Sequence, residues 1–181
     1  DVDAFALQNA YETNYGLEPG QVVVLLNAGA SAININILQG DQSVFTRDIS
    51  MGGNAYTEAV QKELDLPFEA AEQLKKGIPV DGATFEEARP VLRAVTENVL
   101  LEIHKTFDFF KATASSDQIH RIVLSGGASR VDGFREMLQD RFDTPVEDFD
   151  PFRTVTWDAN TLDGDPAYVS STAAVAVGLA L

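Results

Sequence analysis

Apolar and polar residues change their period several times along this chain, and each change marks an element. Between residues 3 and 15, Phe5, Leu7, Ala10, Tyr11 and Tyr15 recur at helical spacing. Gly16 and the Pro19-Gly20 pair then end the run, which predicts a helix over residues 3–15. Residues 21–26 are apolar almost without interruption, the pattern of a buried strand. Residues 32–38 alternate instead. Ile33, Ile35 and Ile37 face one way and Asn34 and Asn36 the other, which predicts a half-buried strand. A turn at residues 39–42 sends the chain back through residues 43–49, making a hairpin or three-stranded meander.

The period then lengthens. Gly52-Gly53 opens a helix over about residues 54–64, and a second helix over residues 67–76 stops at Gly77. A long helix follows over about residues 84–112, with Leu92, Val95, Val99, Ile103, Phe107 and Phe110 three or four apart. Pro90 lies in its first two turns and predicts a late start or a kink. Residues 119–124 form the next strand, and a glycine turn leads into a helix over residues 129–142. A short strand around Val146, a polar loop at residues 158–165 and an apolar final helix over residues 171–181 complete the chain. Strands and helices mixed in this order give an α/β domain with a mixed sheet and flanking helices. The final helix is apolar all round and needs cover on every side, and the chain opens on Asp1 rather than methionine. Both features lead us to expect a piece of a larger protein.

Composition narrows the chemistry. With 13 basic and 28 acidic residues the net charge is −15, and Lys75-Lys76 is the only adjacent basic pair. Such a chain repels phosphate backbones and anionic headgroups, so neither nucleic acid nor direct membrane insertion is expected. Cysteine is absent and only His104 and His120 are present, which excludes disulfides, thiolate metal sites and histidine metal clusters. No leader-like segment stands out, and the apolar run over residues 173–181 is too short to cross a bilayer, so a cytoplasmic location is expected. Asp158, Asn160, Asp163 and Asp165 lack the spacing and the closing glutamate of a calcium loop and read as a solvated acidic turn.

Two strand-to-glycine turns carry the candidate chemistry. One is Asn27-Ala28-Gly29-Ala30-Ser31 after the first buried strand, and the other is Ser125-Gly126-Gly127-Ala128 after the fourth. Glycine at a strand end lets backbone N–H groups approach a ligand closely, which suits phosphates and nucleosides. Each feature also has a plain structural reading. Gly29 could simply turn a strand, Gly126-Gly127 could allow close helix–sheet packing, and Glu72 with Lys75 could be a solvated ion pair three residues apart on a helix. Arg47, Asp48, His104 and His120 read as ordinary structural residues.

Taken with Arg47-Asp48-Ile49, Ala71-Glu72-Gln73-Leu74-Lys75-Lys76 and Asp150-Pro151-Phe152-Arg153, these motifs resemble the second lobe of the actin-like ATPase superfamily, whose fold is ribonuclease H-like. Within it the chain is similar to the FtsA-like PilM family of type IV pilus assembly proteins. The likeness covers essentially all 181 residues, although the glycine motifs by themselves identify only the superfamily. The resemblance implies one lobe, with a core subdomain of about residues 1–53 and 114–181 and an inserted helical subdomain of about residues 54–113. It implies that Gly29, Ala30 and Ser31 form a phosphate turn presenting amides to ATP, and that Gly126, Gly127 and Ala128 form the adenosine turn. Glu72 would accept from the ribose hydroxyls and Lys75 would pack on the base. Asn27 stands where most members carry an acidic residue that positions Mg2+, and an amide cannot supply that charge. ATP held with little or no hydrolysis is therefore expected.

The family resemblance also implies a scaffold at the inner membrane. It would bind the cytoplasmic tail of a PilN-like membrane protein, mainly through the other lobe, and reach the pilus motor ATPases. Exposure of the two terminal helices would favour self-association. Two alternatives share the fold: a hydrolysing ATPase or small-molecule kinase, and an FtsA-like filament-forming cell-division protein.

Overall fold

The computed structural model describes residues 3–114, 118–155 and 166–181, without the side chains of residues 166–168. The acidic loop at residues 158–165 lies outside the described residues. Among those described, the chain forms α1 (Asp3–Tyr15), β1 (Val22–Ala28), β2 (Ile33–Gln39), β3 (Gln42–Ile49), α2 (Gly53–Leu64), α3 (Phe68–Lys75) and α4 (Phe85–Thr113). There follow β4 (Arg121–Ser125), a 3-10 turn (Gly127–Arg130), α5 (Phe134–Phe142), β5 (Val146–Asp148) and α6 (Pro166–Ala180). The five strands make one sheet in the order β3-β2-β1-β4-β5. β1 pairs antiparallel with β2 and parallel with β4, and β4 pairs parallel with β5. The sheet is mixed, as the alternation of elements predicts.

The uninterrupted apolar run of β1 follows from its central place. Val22, Val24 and Leu26 pack with Tyr56, Val99, Ile103 and Phe134 of α2, α4 and α5 on one face. Val23 and Leu25 pack with Leu7, Tyr11 and Ala174 of α1 and α6 on the other. The molecule is thus three layers, helix pair, sheet and helix group, so a central strand has no polar face.

β2 departs from its half-buried reading. Asn36 is only 1% exposed, because α1 lies over the face that alternation assigns to solvent. Its amide donates to the Ala4 carbonyl at 2.8 Å and accepts from the Ser43 hydroxyl at 2.6 Å. A buried amide with both ends bonded is tolerated where an unbonded one is not. Alternation reports which residues share a face. It does not report whether a helix covers that face.

Two helix boundaries also differ from expectation. α4 starts at Phe85 despite Pro90, because Thr84 and Glu87 close a capping box on its first turn. No late start occurs. The helix expected over residues 129–142 is instead a 3-10 turn and a separate α5. Gly133 takes φ +74° between them and breaks the helical path. His120 extends the sheet by accepting the Val22 N–H on Nδ1 at 2.9 Å, and His104 lies beside Asp108 on α4, stacked on Phe142. Both are structural, as expected.

Candidate nucleotide cleft

The parallel pair β1 and β4 ends beside one another at Asn27 and Ser125, which lie directly opposite in the register. Both glycine turns therefore leave the sheet at the same edge. Above them, α2 and α3 close a cleft of about 900 Å3. Its walls include Asn27, Gly29, Ala30, Glu72, Lys75, Gly126, Gly127 and Ala128, so eight of the nine candidate residues border one space. Ser31 does not border it. That volume is in the range of small-molecule sites.

The first turn is oriented by its carbonyls. Gly29 and Ala30 oxygens accept from the Gly53 and Asn54 N–H groups at 2.9 and 2.8 Å, capping the start of α2 where Gly52 supplies no side-chain cap. The Gly29 N–H is bound within the turn to the Ala32 carbonyl at 3.0 Å, so it is not free to donate outward. The Ala30 and Ser31 N–H groups have no partner among the described residues. Of these two, Ala30 borders the cleft and Ser31 does not.

At the second turn the two glycines serve different ends. A Cβ on Gly126 would lie 2.3 Å from the Ala28 carbonyl oxygen, and its φ is +91°. The fold itself demands this glycine. A Cβ on Gly127 would meet only the Thr172 methyl, at an ordinary 3.6 Å. A Cβ on Gly53, the first residue of α2, would likewise meet nothing closer than 3.6 Å. The internal packing requires neither Gly127 nor Gly53, and a side chain on either would fill the cleft. That is the signature of room kept for a close-lying ligand.

The roof is pinned by one lysine. The Lys75 ammonium donates to Glu72 Oε2 at 2.6 Å, Thr57 Oγ1 at 3.0 Å and the Gly53 carbonyl at 3.1 Å. Its three protons are used, and its side chain is only 10% exposed. The pair is therefore not the solvated one of the plain reading. Nor does the ammonium keep a proton free for a ligand. Partial burial raises the Glu72 carboxyl, but hydrogen bonds from Lys75, Thr57 and Lys76 outweigh it and hold the group below the ordinary glutamate range. A depressed carboxyl stabilises the fold above its unfolded value and loses that stabilisation as pH falls through its folded one. The Glu72 contribution should accordingly be present in full and independent of pH near neutrality, and thermal midpoints should fall with acidification. Glu72→Gln should flatten that acid limb, and an unchanged limb would contradict the assignment.

From Asn27, which borders the cleft, a polar row that sequence reading did not assemble runs across the sheet. Ser125 Oγ donates to Asn27 Oδ1 at 3.2 Å, Asn27 Nδ2 to Asn34 Oδ1 at 3.1 Å, and Asn34 Nδ2 to Asp48 Oδ1 at 2.8 Å. These residues stand opposite one another across four adjacent strands. Asn27 is thus held as a neutral link. The signal available beforehand was the equal offset of Asn27 and Asn34 from the hairpin turn, but register is needed to join them to Ser125 and Asp48.

The fold has close structural relatives. One chain of a PilM-PilN type IV pilus biogenesis complex superimposes with a TM-score of 0.85 at 26% identity, over 99% of this chain and 51% of that one. The ethanolamine utilization protein EutJ from Carboxydothermus hydrogenoformans gives a TM-score of 0.66 at 18% identity, covering 99% of this chain and 53% of that one. MreB 5 of Spiroplasma citri bound to AMPPNP gives 0.65 at 16%, covering 97% and 56%. The fold is therefore that of the actin-like ATPases, and the chain spans about half the length of these relatives. Among the described residues no helix is long and apolar enough to cross a membrane. The family model described as type IV pilus assembly protein PilM matches residues 1–181, and the chain belongs to that family.

Proposed function

We propose that this chain is the second lobe of an actin-like, ATP-holding scaffold in the type IV pilus inner-membrane platform. One observation carries the reading: two glycines that the fold does not need, Gly53 and Gly127, face one cleft between the two strand-end turns. Residues 1–53 with 114–181 make the sheet part of the lobe and residues 54–113 its helical insertion. The Ala30 amide receives phosphate oxygens, Gly127 and Ala128 lie against the nucleoside, and Glu72 keeps Oε1 directed to a hydroxyl beyond its contact with Lys76. Mg2+ would be carried largely by the phosphates and water, since Asn27 offers an amide where a carboxylate would add charge. ATP, when bound, would supply a charged bridge between lobes; hydrolysis is minor or absent.

In this reading the scaffold sits under the membrane through its partners, a PilN-like cytoplasmic tail taken mainly by the other lobe and the motor ATPases. The PilM-PilN complex among the relatives supports the first partner. Calorimetry tests the cleft. This chain alone supplies roughly half of the donors, so its ATP dissociation constant should be about millimolar, about −4 kcal/mol. The full-length protein should bind more tightly, and Gly127→Val should abolish binding in it while leaving the melting temperature within a few degrees. A micromolar constant for this chain alone, or normal binding by Gly127→Val, would refute the assignment.

A further inference from the structure

Resting on the nucleotide reading of this cleft, we infer that Phe68 is the stacking platform for the base. Phe68 is the first residue of α3 and is 46% exposed, and it is the one aromatic side chain among the described residues bordering the cleft. Phe68, Glu72, Lys75 and Lys76 stand at i, i+4, i+7 and i+8, so they form a single stripe of α3, and all four border the cleft. Ala71 and Leu74 are buried on the inner side of the same helix. Glu69, Ala70 and Gln73 line a separate shallow groove. The helix thus has three faces, and its exposed ring is on the one that meets the ligand space.

The cleft chemistry favours a stacked base over a hydrogen-bonded one. The Lys75 ammonium is consumed by Glu72, Thr57 and Gly53, so it cannot read a base edge or provide a cation above it. Glu72 is bonded by Thr57 and by two lysines, Lys75 and Lys76. The lining also includes Gly127, Ala128 and Val131, small or apolar groups against which a flat ring can lie, with Arg130 beside them. Four residues of helix separate Phe68 from Glu72, about 6 Å along the axis. A sugar hydroxyl at Glu72 therefore leaves the attached base level with Phe68. Every base has a π-face, so a platform of this kind accepts purines with little regard to their edges.

The test is titration of the full-length protein and its Phe68→Ala and Phe68→Tyr variants with ATP, GTP and inorganic triphosphate. Phe68→Ala should weaken both nucleotides about tenfold or more. It should leave triphosphate affinity unchanged, and Phe68→Tyr should restore the nucleotides. Wild-type protein should bind ATP and GTP within a fewfold of each other, and saturation-transfer NMR should show the base protons receiving magnetisation from aromatic protein protons. Unchanged ATP binding by Phe68→Ala overturns the stacking role and leaves the nucleotide cleft standing. Equal loss of triphosphate overturns it too, because the change then acts on the whole site. Absence of ATP binding by the wild-type full-length protein overturns the cleft reading itself.

Discussion

Gly126→Ala should lower the melting temperature of this protein by about 10 °C or more, whereas Gly127→Ala one residue later should leave it almost unchanged. At Gly126, φ +91° and ψ 153° belong to a backbone region that side-chain-bearing residues avoid at about 1–3 kcal/mol. The added Cβ would also sit 2.3 Å from the Ala28 oxygen and 2.5 Å from its carbon. Those atoms belong to the central strand, which cannot withdraw without breaking its pairing on both sides. Strain and overpacking together cost about 4 kcal/mol or more, or about 10 °C in a chain of this length. At Gly127 neither term applies. Differential scanning calorimetry of the two single variants checks the contrast, and equal midpoints would refute it.

Gly178→Ala is the second large effect. α1 and α6 cross so closely that a Cβ on Gly178 would fall 1.7 Å from the Ala6 carbonyl oxygen. Alanine is favoured over glycine within a helix by about 1 kcal/mol, so an isolated α6 would gain from the change. The clash is with backbone rather than with a movable side chain, and it wins. We expect a loss of about 3 kcal/mol or more, with α6 detaching from α1 first. Hydrogen exchange should show faster exchange over residues 169–180 than over β1 and β4. Uniform acceleration throughout, or none, would refute this order of events.

The resemblance and the hydrophobic pattern made much of the fold legible. α1 is bounded by its helical period and by Gly16, and β1 by an apolar run that only a central strand tolerates. What escaped notice was set by neighbours distant in sequence. Asn36 looks solvent-facing until α1 covers it. Gly133 looks like one more residue of a helical run until its φ is known. The cleft was legible as a set of motifs, since eight of its residues were named from the sequence. Their individual work was not. Gly29 spends its N–H inside its own turn and Lys75 spends its charge on the roof. Gly53 was read only as part of a helix opening and Phe68 gave no motif signal, because space and exposure appear only when walls face each other.

The bonds of Lys75 bear on how the cleft can open. One ammonium joins Glu72 on α3 to Thr57 and the Gly53 carbonyl on α2. The two helices are stapled, and neither can lift alone without stranding a partly buried cation. Any displacement of this roof therefore moves both helices together.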